Sequence, residues 1–173
     1  MASTLKVNTI AHSGGTNAMT IDSTGRILLP QLPIACVTLT TSNTQDGTHP
    51  YSTTGADMLL DKITVNRGSV YNASNGQFTA PVTGLYRFKY TFLRDDSSAA
   101  NVTYFQVYKN GVAWSEAGGA SYTSAGTTNY SITHNETLVP LNATEYLTIQ
   151  MVGGAIYIDG TGVYHSVIFE LVG

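Results

Sequence analysis

One stretch limits the folds open to this chain more than any other: residues 78–92, FTAPVTGLYRFKYTF. Large rings recur at every second position, Tyr86, Phe88, Tyr90 and Phe92, after Pro81 and Gly84 have punctuated the chain. A period of two puts all four on one face of a β-strand and Leu85, Arg87, Lys89 and Thr91 on the other. Burying one such ring contributes about 1.5–3 kcal/mol, so the aromatic face belongs in a core. The two basic residues opposite need water or a carboxylate partner, because an unpaired buried charge is costly.

The same alternation runs through residues 34–40, 102–109, 129–138, 145–152 and 162–172. Shorter pieces lie near 63–65, 69–71, 112–114 and 155–158. No 3.6-residue pattern is sustained and no capped helix is found. In KNGV, residues 109–112, the pair Asn110-Gly111 suits a type I′ turn, whose twist matches the strands it joins. Ten short strands separated by Gly, Asn and Pro predict an all-β jelly-roll sandwich over residues 34–173.

The chain changes character at LPQLP, residues 29–33. Pro30 and Pro33 cannot donate to a sheet and read as a stiff hinge between an arm, residues 1–33, and the body. In the arm, Leu5 and Val7 alternate, with Ile10 following. AMTI, with Met19 and Ile21, and RILL, with Ile27 and Leu29, flank DSTG. That tetrapeptide predicts a hairpin turn with Gly25 at the position of positive φ. An isolated two-stranded hairpin is marginal in water, so the arm must lie on its own body, a sister chain or another protein.

Charge narrows the partners. The formal net charge is −3 and no basic cluster stands out, which argues against nucleic acid and anionic membranes. Only 11% of residues are charged, against about 25% in a typical domain. Two readings stay open: a surface largely covered by other subunits, or a neutral, Thr-rich β surface. The single cysteine, Cys36, excludes an intrachain disulfide and reads as a buried free thiol. No run is long enough for a transmembrane helix, and the first residues lack a secretory leader, so synthesis in a cytoplasm is expected. Five Asn-x-Ser/Thr triplets are then discounted as glycosylation sites.

From residue 60 the chain runs LDKITVNRGSVYNASNGQFTAPVTGLYRFKY. The spacing of Leu60, Asn66, Tyr71, Phe78, Gly84, Tyr86, Phe88 and Tyr90 resembles the signature of the complement component one-q globular head family, with Leu60 where Phe is usual. VYKNG, LVPLNATEYLTIQ and YHSVIFELV resemble later passages of that family; its usual Gly near the centre of the last strand falls at Phe169. The resemblance implies a ten-stranded jelly roll related to tumour necrosis factor, assembled as a homotrimer. It puts Leu85, Arg87, Lys89 and Thr91 at the trimer contact, with Glu136, Glu145 and Glu170 as candidate partners for the basic pair. Tyr71, Phe78, Tyr86, Phe88, Tyr90 and Phe92 fill the protomer core. The arm, STLKVNTI…AMTIDSTGRILLPQLP, resembles the N-terminal segment of tail-fibre and other virion proteins of aquatic bacteriophages.

Catalytic and metal signatures do not emerge. His12, His49, His134 and His165 have no ligand spacing, and there is no Gly-x-Ser-x-Gly elbow. Asp95 and Asp96 form the one adjacent acidic pair. Some members of the resembled family bind calcium near the trimer apex, but adjacent acids in a polar loop are more often solvated, so no cofactor is expected. Tyr122 and Tyr130, in GGASYTSAGTTNY, sit in an adaptable loop suited to recognition.

The expectation is a non-enzymatic bacteriophage virion protein, assembled in the bacterial cytoplasm. Its trimeric knob would be anchored to capsid or tail proteins by Leu5, Val7, Ile10, Met19, Ile21, Ile27 and Leu29 of the arm. It would act as a short fibre or appendage that contacts a host-surface glycan or receptor, or as a head-decoration (cement) protein. The alternative is a free bacterial lectin-like or ligand-recognition module.

Overall fold

The structure, a computed structural model, describes residues 6–29, 31–40, 54–94, 102–114, 119–122, 132–158 and 161–173. The chain divides into two compact units, Met1–Leu32 and Pro33–Gly173. All regular structure among the described residues is β.

In the first unit, β1 (Thr9–Ala11), β2 (Asn17–Ile21) and β3 (Ile27–Leu28) form an antiparallel sheet with β2 in the middle. The expected hairpin is therefore part of a three-stranded sheet. The strand that composition did not suggest, β1, is too short for alternation to register and is held by its pairing to β2.

The second unit is a sandwich. One sheet has the order β12-β8-β14-β4-β5, made from β4 (Ile34–Thr38), β5 (Lys62–Arg67), β8 (Gly84–Leu93), β12 (Ile132–Leu141) and β14 (Ser166–Leu171). The other has the order β10-β9-β13-β7-β6, with β11 also on β9. Its strands are β6 (Tyr71–Asn72), β7 (Gln77–Thr79), β9 (Val102–Lys109), β10 (Val112–Ala113), β11 (Gly119–Tyr122) and β13 (Tyr146–Gly153).

The two sheets meet through rings. Tyr86, Phe88, Tyr90 and Phe92 are all buried, as are Tyr71 and Phe78. Phe92 of β8 stacks on Phe105 of β9 with centroids 4.6 Å apart. Phe169 occupies the place at which the resembled signature has Gly, and it lies flat on Phe78 at 4.7 Å and 3°. It also touches Phe88 at 5.0 Å and Tyr71 at 6.1 Å. A bulky residue is accommodated there because β14 supplies a ring to the opposite sheet.

Two signature residues have mechanical roles. Asn66 donates from Nδ2 to the Tyr71 carbonyl at 2.8 Å, and its Oδ1 accepts from the Tyr71 N–H at 3.0 Å. This clamp closes the turn through Gly68 and Ser69, both at positive φ, and seats the Tyr71 ring. Gly84 is needed because a Cβ there would lie 2.5 Å from Leu171 Cδ1 and 2.7 Å from the Gly173 carbonyl oxygen.

Several sequence expectations are corrected. The strand expected over 129–138 is Ile132–Leu141 among the described residues and passes through Pro140. Because β12 is an edge strand, a proline there need not cost a ladder bond. The piece near 69–71 is the turn before β6, and residues 155–158 supply only the isolated bridge Arg94↔Ile156. Residues 77–79, not expected as a strand, and 119–122, expected as part of a loop, pair as β7 and β11. The body thus has eleven strands among the described residues where ten were expected. Cys36 is half-buried on the outward side of β4, because Ala35 and Val37 take the core positions. Asn110 and Gly111 have φ of 51° and 76°, as a type I′ turn requires.

Two rings of the core make opposite predictions. Phe169→Ala removes the inter-sheet stack and should destabilise the body by about 3–5 kcal/mol. The Tyr86 hydroxyl donates to the Val82 carbonyl, whereas the buried Tyr90 hydroxyl has no protein partner among the described residues, and burial pushes its pKa up to about 12. Tyr90→Phe should therefore be neutral or stabilising by about 1 kcal/mol. Urea unfolding of both variants at one protein concentration checks the contrast.

Candidate functional site

The outward face of the five-stranded sheet carries the residues with most to explain. Register places Lys89 opposite Glu136 on one side and Ile168 on the other; Arg87 lies between Leu138 and Glu170. Arg87 Nη1 donates to Glu170 Oε1 at 2.7 Å. Arg87 Nε is 3.2 Å from Glu136 Oε1, an ion pair rather than a directed hydrogen bond, and Lys89 Nζ is 3.9 Å from Glu136 Oε2. The quartet has two positive and two negative side chains and sums to zero. Of the three carboxylates considered from sequence, Glu145 is corrected. It binds Lys109 Nζ at 2.8 Å and accepts from Asn110 and from the Asn142 N–H, on a turn away from β8.

Apolar residues surround the quartet. Leu85, Leu138 and Ile132 are 36%, 49% and 60% exposed. Leu93, Ile168, Cys36 and Ile34 are half-buried on the same face. Thr91 is half-buried between His134 and Ser166. Beyond the end of β8, Leu93, Ile132, Tyr157 and Tyr164 line a recess of about 300 Å³. The sequence placed Leu85, Arg87, Lys89 and Thr91 on one face; the face also includes Leu138, Ile132, Ile168 and Cys36, from strands whose register a single sequence does not reveal.

The arm is organised by Asp22. Its Oδ1 accepts from the Thr24 N–H, the Thr24 hydroxyl and the Arg26 N–H, and its Oδ2 accepts from Arg26 Nε at 2.7 Å. Gly25 has φ of 85°, so the turn expected at DSTG is present. The register Ile10↔Met19 and Ile21↔Ile27 gathers four apolar side chains on one face; Thr9, Thr20 and Leu28 share the other. Val7 precedes β1 and is half-buried, and Leu29 follows β3 and is exposed. Leu5 lies outside the described residues.

Asp95, Asp96 and Tyr130 also lie outside the described residues, and Tyr122 is described only by its backbone in β11. Among the described residues no three His, Cys, Asp or Glu side chains come together as a metal site. His165 is buried, with Nε2 against the Tyr157 carbonyl and its ring beside Phe92, as a core residue.

Comparison with known proteins follows the same lines. The C1q domain family matches residues 41–167. Among solved structures, the globular domain of zebrafish complement 1qA protein superposes with a TM-score of 0.59 at 11% identity, covering 82% of this chain and 98% of that one. The Eiger TNF of S. frugiperda gives 0.64 at 8% identity, covering 83% and 94%. Murine APRIL gives 0.58 at 12% identity, covering 82% and 99%. At such identities the likeness is one of fold.

The Asp22 turn gives a pH prediction. Hydrogen bonds from Thr24 and Arg26 lower the Asp22 pKa from 3.8 to about 2. A depressed carboxylate pKa means that the turn's stabilisation is complete above the unfolded value and lost as pH falls through the folded one. Carboxyl NMR should find Asp22 titrating near 2, and Thr24→Val should move it upward. A midpoint at the ordinary value in the unmodified protein would show that the turn is not formed.

Proposed function

The chain belongs to the C1q domain family, and from that premise we propose a non-enzymatic binding and structural protein that assembles as a homotrimer through the outward face of its five-stranded sheet. One observation carries this: a charge quartet that sums to zero, ringed by half-exposed apolar side chains. Burying such a face against sister copies removes apolar surface from water without stranding a charge. In water alone the quartet contributes little, since Arg87 and Glu136 are 42% and 51% exposed and pairs of that kind give about 0–1 kcal/mol.

The setting we propose is a bacteriophage particle, with the trimeric body as a knob and the three arms as anchors to capsid or tail proteins. The knob would serve as a short appendage meeting a host-surface glycan or receptor, or as a head-decoration protein. The support is the arm: its sequence likeness to virion proteins, its separate compact unit, and the two edge strands β1 and β3, on which a partner's strand can add.

Two experiments test these readings. Arg87→Met removes the cation paired with Glu170 and the nearer cation of Glu136, leaving Lys89 at 3.9 Å from Glu136. If the face is buried, the loss is about 3–5 kcal/mol per protomer, and the variant should sediment as a monomer that keeps its β circular dichroism. A variant that stays trimeric with unchanged dissociation would show that the contact lies elsewhere. Deleting residues 1–32 should abolish binding to purified capsids or tail complexes in a pull-down. Undiminished binding would remove the anchoring role, and a trimer that instead takes up a soluble glycan would favour a free bacterial recognition module.

A further inference from the structure

We infer that the apolar face of the arm sheet is covered by the arms of the two sister chains, so that three arms form a three-sided β-prism. The face is Ile10, Met19, Ile21 and Ile27, brought to one side by the pairings Ile10↔Met19 and Ile21↔Ile27. Ile10 is 46% exposed and Ile27 is 62% exposed. A small three-stranded sheet that leaves its apolar face in water has little to hold it together.

The occupant follows from charge and tether. The described residues of the arm carry Lys6, Asp22 and Arg26, and the last two neutralise each other. The apolar face itself bears no charge, so it offers nothing for a charged partner to read. An identical uncharged face is complementary to it. The tether places that partner nearby. Between Leu28, the last residue of β3, and Ile34, the first of β4, five residues intervene, a reach of about 20 Å at full extension. β4 lies in the five-stranded sheet, and Ile34 and Cys36 are on its outward side. A tether of this length keeps the arms of sister chains within reach of one another at an effective concentration set by its length and stiffness, which favours sister arms over any partner in solution. The edges β1 and β3 stay at the corners of the prism, open to a particle protein.

This inference rests on the trimer reading, and one set of samples separates the two. In a Cys36→Ser background of the full chain, Met19→Cys and Thr20→Cys put a thiol on the two opposite faces of β2. Each is treated with a short bismaleimide, and its mass is followed by sedimentation. The expected result is a trimer in both, a strong crosslinked dimer band for Met19→Cys, and loss of that band for Thr20→Cys. A trimer in which Met19→Cys gives no band, or in which the two positions crosslink equally, overturns the prism and leaves the trimer standing. A monomer in both overturns the trimer and the prism with it.

Discussion

The body depends on rings that meet across the gap between two sheets. Phe169 on Phe78, Phe169 on Tyr71 and Phe92 on Phe105 are stacked contacts, and each joins a strand of one sheet to a strand of the other. Tyr86 reaches Phe78 edge-on at 5.5 Å, and Tyr90 reaches Phe105 at 5.3 Å. Offset and edge contacts of this kind add about 0.5–1.5 kcal/mol each beyond the area they bury. The aromatic side of β8 thereby fixes which way its other side points, and the charged face exists because the ring face is inside.

That coupling explains why a signature spread over thirty residues behaves as one device. Asn66 holds the backbone of Tyr71, and the Tyr71 hydroxyl accepts from the Leu60 N–H at 3.2 Å. The Tyr71 ring reaches Phe169, which lies on Phe78. Gly84 then lets the end of the chain run against the start of β8, where the Leu85 carbonyl accepts from Val172 and Gly173. Each spacing is the length of chain needed to bring the next contact into place, so a change in one would misplace the others.

The fold was legible because its dominant signal is local. A period of two over residues 84–93 requires only that one strand have an inside and an outside, and the same logic read the body as all-β. Short strands escaped for the same reason. β7 and β11 have three and four residues, too few to show alternation, and exist through pairing with β13 and β9. The charged face was legible only in half. Alternation put Arg87 and Lys89 outside, but their partners were a question of register between strands about fifty and eighty residues away along the chain. Glu145 looked as suitable as Glu136 or Glu170 until the pairing β12–β8–β14 chose between them. Cys36 shows the converse error: an apolar neighbourhood suggested burial, and one step of parity put it on the outward side.

Low charge and local pairing belong together. The chain has 8 basic residues, and Arg26, Arg87, Lys89 and Lys109 are all held in ion pairs within their own unit. Such pairs leave little field beyond a Debye length of about 8 Å at physiological salt. In the proposed trimer, recognition between copies would come from apolar shape at short range, on the sheet face around Arg87 and on the arm face around Met19. A surface of this kind is poorly suited to selecting a distant charged partner. It suits joining neighbours already held close by symmetry or by a short tether. In the proposed trimer, the five residues between β3 and β4 would bring both apolar faces of this chain into one assembly.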